Sequence, residues 1–87
     1  MPRSVMHFQA EIAASSTKRW VAPQFPQDWH VIWTVVPLAP VQDAQPQLES
    51  RIYVERQSAE FLKYYVEVQN YSTSTVQFQM RYTVLNN

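Results

Sequence analysis

Apolar and polar side chains alternate with period two through most of this chain, and the pattern is cleanest in its last half. A strand puts successive side chains on opposite faces, so such alternation marks strands with one face buried. Three segments carry it there: Leu48–Arg56, Phe61–Gln69 and Val76–Leu85. Their even positions are apolar (Leu48, Ile52, Val54; Leu62, Tyr64, Val66, Val68; Val76, Phe78, Met80, Tyr82, Val84), with Ser50 and Arg56 as exceptions. The connecting pieces, Gln57-Ser58-Ala59-Glu60 and Asn70 to Thr75, hold turn formers, so the pattern predicts a three-stranded meander.

Register follows from which side chains would face each other, because antiparallel partners share a face. In the second hairpin, Val68 opposite Val76 sets Val66 against Phe78, Tyr64 against Met80 and Leu62 against Tyr82. In the first hairpin two registers keep the apolar face intact. One sets Glu49 against Glu67. The other sets Arg51 against Glu67, Tyr53 against Tyr65 and Glu55 against Lys63. A favourable cross-strand pair contributes about 0.2–1 kcal/mol and a like-charge pair costs as much, so the second register is expected.

The first half is less regular. Met6, Phe8, Ala10, Ile12 and Ala14 share a face from Val5 to Ala14, with His7, Gln9 and Glu11 on the other, which predicts a half-buried strand. Ala13 to Arg19 reads as a polar turn. Trp20 to Gln27 carries Pro23 and Pro26 around Phe25 and predicts at most a short edge strand inside a loop. Trp29 to Val36 is apolar on both faces and predicts a central strand covered on both sides. Pro37 ends it, and the eleven-residue stretch Pro37–Gln47 is long enough to cross between two packed sheets.

The spacing of Val66, Val68, Asn70, Ser72, Val76 and Phe78 resembles the late hairpin of immunoglobulin-like modules. The resemblance covers about a third of the chain, and the cysteines of true immunoglobulin domains are missing. Together with the strand pattern it implies a single domain over residues 1–87, an all-β, small immunoglobulin-like antiparallel β-sandwich of about six strands.

Composition narrows the chemistry. The chain has 87 residues, no cysteine and no glycine. A domain of this size buries only about 60–65 % of its unfolded surface, and no disulfide can assist the core. Without cysteine there are no thiolate metal sites and no thiol nucleophiles. Without glycine there are no phosphate-cradling loops and no nucleophile elbow, and two-residue primed hairpin turns are disfavoured. Seven basic and seven acidic residues cancel, so there is no net positive field to collect nucleic acid. No apolar run is long enough to span a bilayer as a helix, so no membrane insertion is expected. The opening residues lack a signal-peptide apolar stretch, so cytoplasmic residence is the default expectation, with export by a signal-independent route left open.

Candidate sites are few. Asp28 and His30 lie two apart but lack an oxyanion hole or activated serine, so no catalytic residues, cofactor or metal site are expected and the chain is read as a non-enzyme. Asn70-Tyr71-Ser72 matches a glycosylation acceptor, read as incidental here. Trp20, Phe25 and Trp29 beside Asp28 and His30 form the composition of a sugar site, aromatic faces for C–H surfaces and polar groups for hydroxyls. The competing reading is that these rings plug the core. The outer face of the meander (Arg51, Tyr53, Glu55, Lys63, Tyr65, Glu67, Gln77, Gln79, Arg81) mixes both charge signs with tyrosine, which suits a protein contact. Two functions follow as expectations. The first is a structural or interaction module that forms a homo-oligomer, with Trp33, Arg51, Tyr53, Tyr65 and Arg81 at the interface. The alternative is a lectin-like domain that binds glycan through the Trp20–His30 loop.

Overall fold

A computed structural model describes residues 3–40 and 46–86, and these form six antiparallel strands with no helix among them. The strands are β1 (Arg3–Ile12), β2 (Thr17–Pro26), β3 (Val31–Pro37), β4 (Leu48–Arg56), β5 (Phe61–Asn70) and β6 (Val76–Val84). They make two three-stranded sheets of order β1-β6-β3 and β2-β5-β4. The connection after Pro37 passes from one sheet to the other, as its length predicts; residues 41–45 within it lie outside the described residues. No two-residue turn joins any pair of strands, in keeping with the lack of glycine. Among the described residues, two hold a left-handed backbone, Ser15 at φ 56° and Gln24 at φ 64°.

The first hairpin has the register expected from charge: Arg51 opposes Glu67, Tyr53 opposes Tyr65 and Glu55 opposes Lys63. The second hairpin does not form. β6 pairs with β1 and β3 in the other sheet, so Val68–Val76, Val66–Phe78, Tyr64–Met80 and Leu62–Tyr82 are not ladder pairs. Alternation reports which face of a strand is buried, and that face is the same whether the next strand pairs or crosses to the opposite layer. Both β5 and β6 are central strands, and their inward Val66, Val68, Phe78 and Met80 meet in the core without exposure.

Two further expectations are corrected. β2 is a full ten-residue strand, beginning inside the segment read as a turn. It tolerates Pro23 and Pro26 because it is an edge strand, whose outward N–H groups have no ladder to serve, and a bulge between Ala22 and Phe25 absorbs the irregularity. β3 is also an edge strand, not a central one. Trp33 is buried on its inner face, with Val31 and Val35 packed beside it, while Ile32 on its outer face is exposed.

Aromatic rings fill one region of the interlayer space. Phe25 lies 5.0 Å from Tyr82 and 5.3 Å from Tyr64 between centroids, and Trp33 lies 5.2 Å from Tyr82. Such pairs stabilise by about 0.5–1.5 kcal/mol beyond the area they bury, which helps a core without crosslinks. Elsewhere the layers are joined by a polar hub. Asn70 is 1 % exposed at the end of β5, and its amide nitrogen donates to the carbonyls of Ile12, Ala13 and Ser74 at 2.9–3.2 Å. Its Oδ1 accepts from the backbone N–H and the hydroxyl of buried Ser72 at 2.9 and 2.8 Å. The turn after β5 is thereby fastened to the turn after β1, with Ser15 N–H donating to Ser72 O and Asn70 N–H to Ser16 O.

Candidate functional site: the β4 edge and its sheet face

β4 stands at the end of its sheet and is exposed along nearly all its length. Its register with β5 is continuous over nine pairs, with no bulge and no proline. The other edges are better guarded. β1 and β2 carry bulges, β2 also carries two prolines, and β3 is only seven residues long and ends in Pro37. An edge strand offers unpaired N–H and C=O groups, and short length, proline and bulges are the usual protections.

The inner face of β4 is bare where the sequence pattern predicts burial. Leu48 packs against the core, but Ile52 is 42 % exposed and Val54 60 %. Their ladder partners on β5, Val66 and Tyr64, are more deeply buried, so burial falls off between adjacent strands of one sheet. The signal available in the sequence was the pair of polar interruptions on that face, Ser50 and Arg56.

The outer face of the same sheet gathers Arg19 from β2, Lys63, Tyr65 and Glu67 from β5, and Arg51, Tyr53 and Glu55 from β4. Arg19 pairs with Glu67 at 3.2 Å and lies over the rings of Tyr53 and Tyr65, its guanidinium carbon 4.8 and 5.8 Å from their centroids. Tyr65 donates its hydroxyl to Glu55, and that bond to a carboxylate is the main cause raising the Tyr65 pKa above its ordinary value. Tyr71 donates to Glu49 at 2.6 Å with the same consequence. Arg19 thus occupies the carboxylate that faces Arg51 in the ladder. Among the described residues Arg51 keeps one ion pair, a 3.9 Å contact with Glu49, beside its hydrogen bond with the Tyr53 side chain. The sequence does not single out Arg19, since nothing local places it beside two tyrosines that lie 34 and 46 residues further along the chain.

Of the interface residues expected from sequence, Arg51, Tyr53 and Tyr65 come together on this face. Arg81 does not: with Gln77 and Gln79 it belongs to β6, in the other sheet, where its guanidinium bonds Gln79 at 2.8 Å. Trp33 is 8 % exposed and belongs to the core. Its buried Nε1 has no hydrogen-bond partner among the described residues.

The aromatic residues of the sugar-site reading spend their rings on the core. Phe25 is buried, Trp20 packs edge-on against Phe78 at 5.4 Å, and Trp29 packs against Phe25 at 6.2 Å. Asp28 and His30 are exposed, and their backbone groups bond the side chain of Asn86, which ties the β2–β3 turn to the chain end. His7 lies at a bulge among the rings of Phe8, Trp33 and Tyr82, and desolvation there lowers its pKa. Asn70 of the glycosylation pattern is buried with its amide fully engaged.

Among the described residues no group of three or more His, Cys, Asp or Glu side chains could hold a metal ion, and no helix is long and apolar enough to cross a membrane. An open groove of about 540 Å³ between Leu38, Pro40, Gln47, Ser74 and Gln77 carries one carboxylate, Glu11. Comparison with protein-family models, with curated proteins and with solved structures gives no match.

Proposed function

We propose that this chain is a non-catalytic structural and interaction module, an immunoglobulin-like sandwich that self-associates into a homo-oligomer. The class assignment rests on strand order. Immunoglobulin sandwiches place strands B, E and D together in one sheet and C and F in the other. The order β2-β5-β4 corresponds to B-E-D and β3-β6 to C-F, with β1 standing beside β6 where the last strand of such domains lies.

Self-association rests on one observation, the bare apolar inner face at Ile52 and Val54 beside an unguarded edge. Fully burying a Val or Ile side chain contributes about 1.5–3 kcal/mol, so covering these half-exposed ones contributes about 1 kcal/mol each. That is a large sum against the ~5 kcal/mol typical of the least stable domains. Two-sided burial of β3 lends no support, because Trp33 already lies in the core. Sugar binding has less support, since Trp20, Phe25 and Trp29 have their rings in core contacts. Sedimentation equilibrium across the micromolar range tests the reading. A mass rising with concentration above the 10.3 kDa of one chain is expected; a constant monomer mass overturns it.

A further inference from the structure

Resting on the self-association just proposed, we infer that β4 pairs antiparallel with β4 of a second copy about a twofold axis passing through Tyr53. A twofold axis normal to the sheet preserves its faces, so each residue must oppose one of the same parity. The register is then fixed by the residue that lies on the axis, and only a few choices keep the strands overlapped.

An axis at Ile52 opposes Glu49 to Glu55 of the second copy, twice over, and sets Ser50 against Val54. An axis at Arg51 opposes two guanidinium groups directly. An axis at Val54 sets Ile52 against Arg56. An axis at Tyr53 opposes Arg51 to Glu55 of the second copy, and by symmetry Glu55 to Arg51. On the inner face the same register opposes Ile52 to Val54 twice. Both faces are satisfied at once, with opposite charges on one and apolar side chains on the other, and two tyrosines meet at the centre.

The monomer is set up for this register. Arg51 is exposed and its 3.9 Å contact with Glu49 is loose, because Arg19 takes Glu67 at 3.2 Å. Glu55 is held in place by the Tyr65 hydroxyl, which leaves its second oxygen to accept from another donor. Ile52 and Val54 of two copies would form one continuous four-residue apolar strip. The outcome is a six-stranded sheet running through both subunits, the mode of association that an unprotected edge invites.

The natural absence of cysteine makes the register directly testable. Under a mild oxidant, Tyr53→Cys is expected to form a covalent dimer at least tenfold faster than Thr73→Cys, placed on an exposed turn away from the edge. Arg51→Cys and Glu55→Cys should each stay uncrosslinked, because symmetric copies of either lie four residues apart along the strands, roughly 13 Å and beyond disulfide reach. Mixed together they should crosslink to each other. As a second measurement, Val54→Lys should raise the dimer Kd of the uncrosslinked protein at least tenfold. If the wild-type chain sediments as an oligomer while Tyr53→Cys and the mixture fail to crosslink, the register is overturned and self-association stands. The same holds if Val54→Lys leaves Kd unchanged. If the wild-type chain is a monomer throughout, both readings fall.

Discussion

Replacing Asn70 by alanine removes a side chain that, alone among the described residues, bonds the β5–β6 turn to the β1–β2 turn. The amide donates toward three carbonyls, Ile12, Ala13 and Ser74, and accepts twice from Ser72, all in a site almost without solvent. It has two N–H groups, so it satisfies at most four bonds at a time. Each such bond contributes about 0.5–1.5 kcal/mol net, and the partners left behind are buried, so the expected loss is about 3 kcal/mol. For a domain of this size that corresponds to a fall in Tm of about 12–24 °C. Urea unfolding followed by tryptophan fluorescence reads it directly. Asn70→Asp sharpens the test, because it keeps the size and one acceptor but turns a second oxygen toward three carbonyls. It should be at least as destabilising at neutral pH, and relative to wild type it should recover part of the loss in acid, where the protonated carboxyl can donate. A loss below about 0.5 kcal/mol for Asn70→Ala, the size of an ordinary surface change, would refute the hub.

Two other outcomes follow from the structure. His7 has its pKa lowered by burial, so the unfolded chain binds the proton more readily than the folded one. Its contribution is intact above the ordinary value of 6.5 and is lost as pH falls from there toward the folded pKa; His7→Gln should flatten that part of the stability profile measured by urea titration at several pH values. Gln24 holds a left-handed φ of 64° that a side chain disfavours. Gln24→Gly keeps its backbone N–H bond to Gln57 and should raise stability by about 0.5 kcal/mol in the same assay, the left-handed cost removed less the extra entropy of an unfolded glycine.

What the sequence makes legible is local. Alternation locates the inward faces of β5 and β6 and that of β1 from Phe8 to Ile12, but the bulge between Met6 and Phe8 sets Val5, not Met6, opposite Tyr82, and Ala14 lies beyond the strand. Charge alone chooses the β4–β5 register correctly. Sheet membership was hidden, because Val76, Phe78 and Met80 face the core equally well in a hairpin with β5 or in the opposite layer. Pro23 and Pro26 limit the reading of Trp20–Gln27 to a short edge strand inside a loop; the edge position is right, but with a bulge the strand accommodates both prolines and runs over Thr17–Pro26. The apolar run Trp29–Val36 reads as evidence of two-sided cover, although Ile32 is exposed on an edge. The candidate surface was half legible. Arg51, Tyr53 and Tyr65 were found from composition, but Arg81 was assigned to the same face only because β6 was placed in the wrong sheet. The bare positions Ile52 and Val54 show in the pattern only through their polar neighbours Ser50 and Arg56, since alternation says which way a side chain points and not whether the opposing layer reaches it.

The central claim, that β4 is an edge awaiting another copy of the chain, is tested most directly by amide hydrogen exchange of the 48–56 segment at rising protein concentration. Pairing across a subunit interface would slow exchange of the outward N–H groups of this strand in proportion to the dimer formed, while the β2 segment, on the far edge of the same sheet, stays unchanged. Exchange over 48–56 that is identical at every concentration would contradict the account.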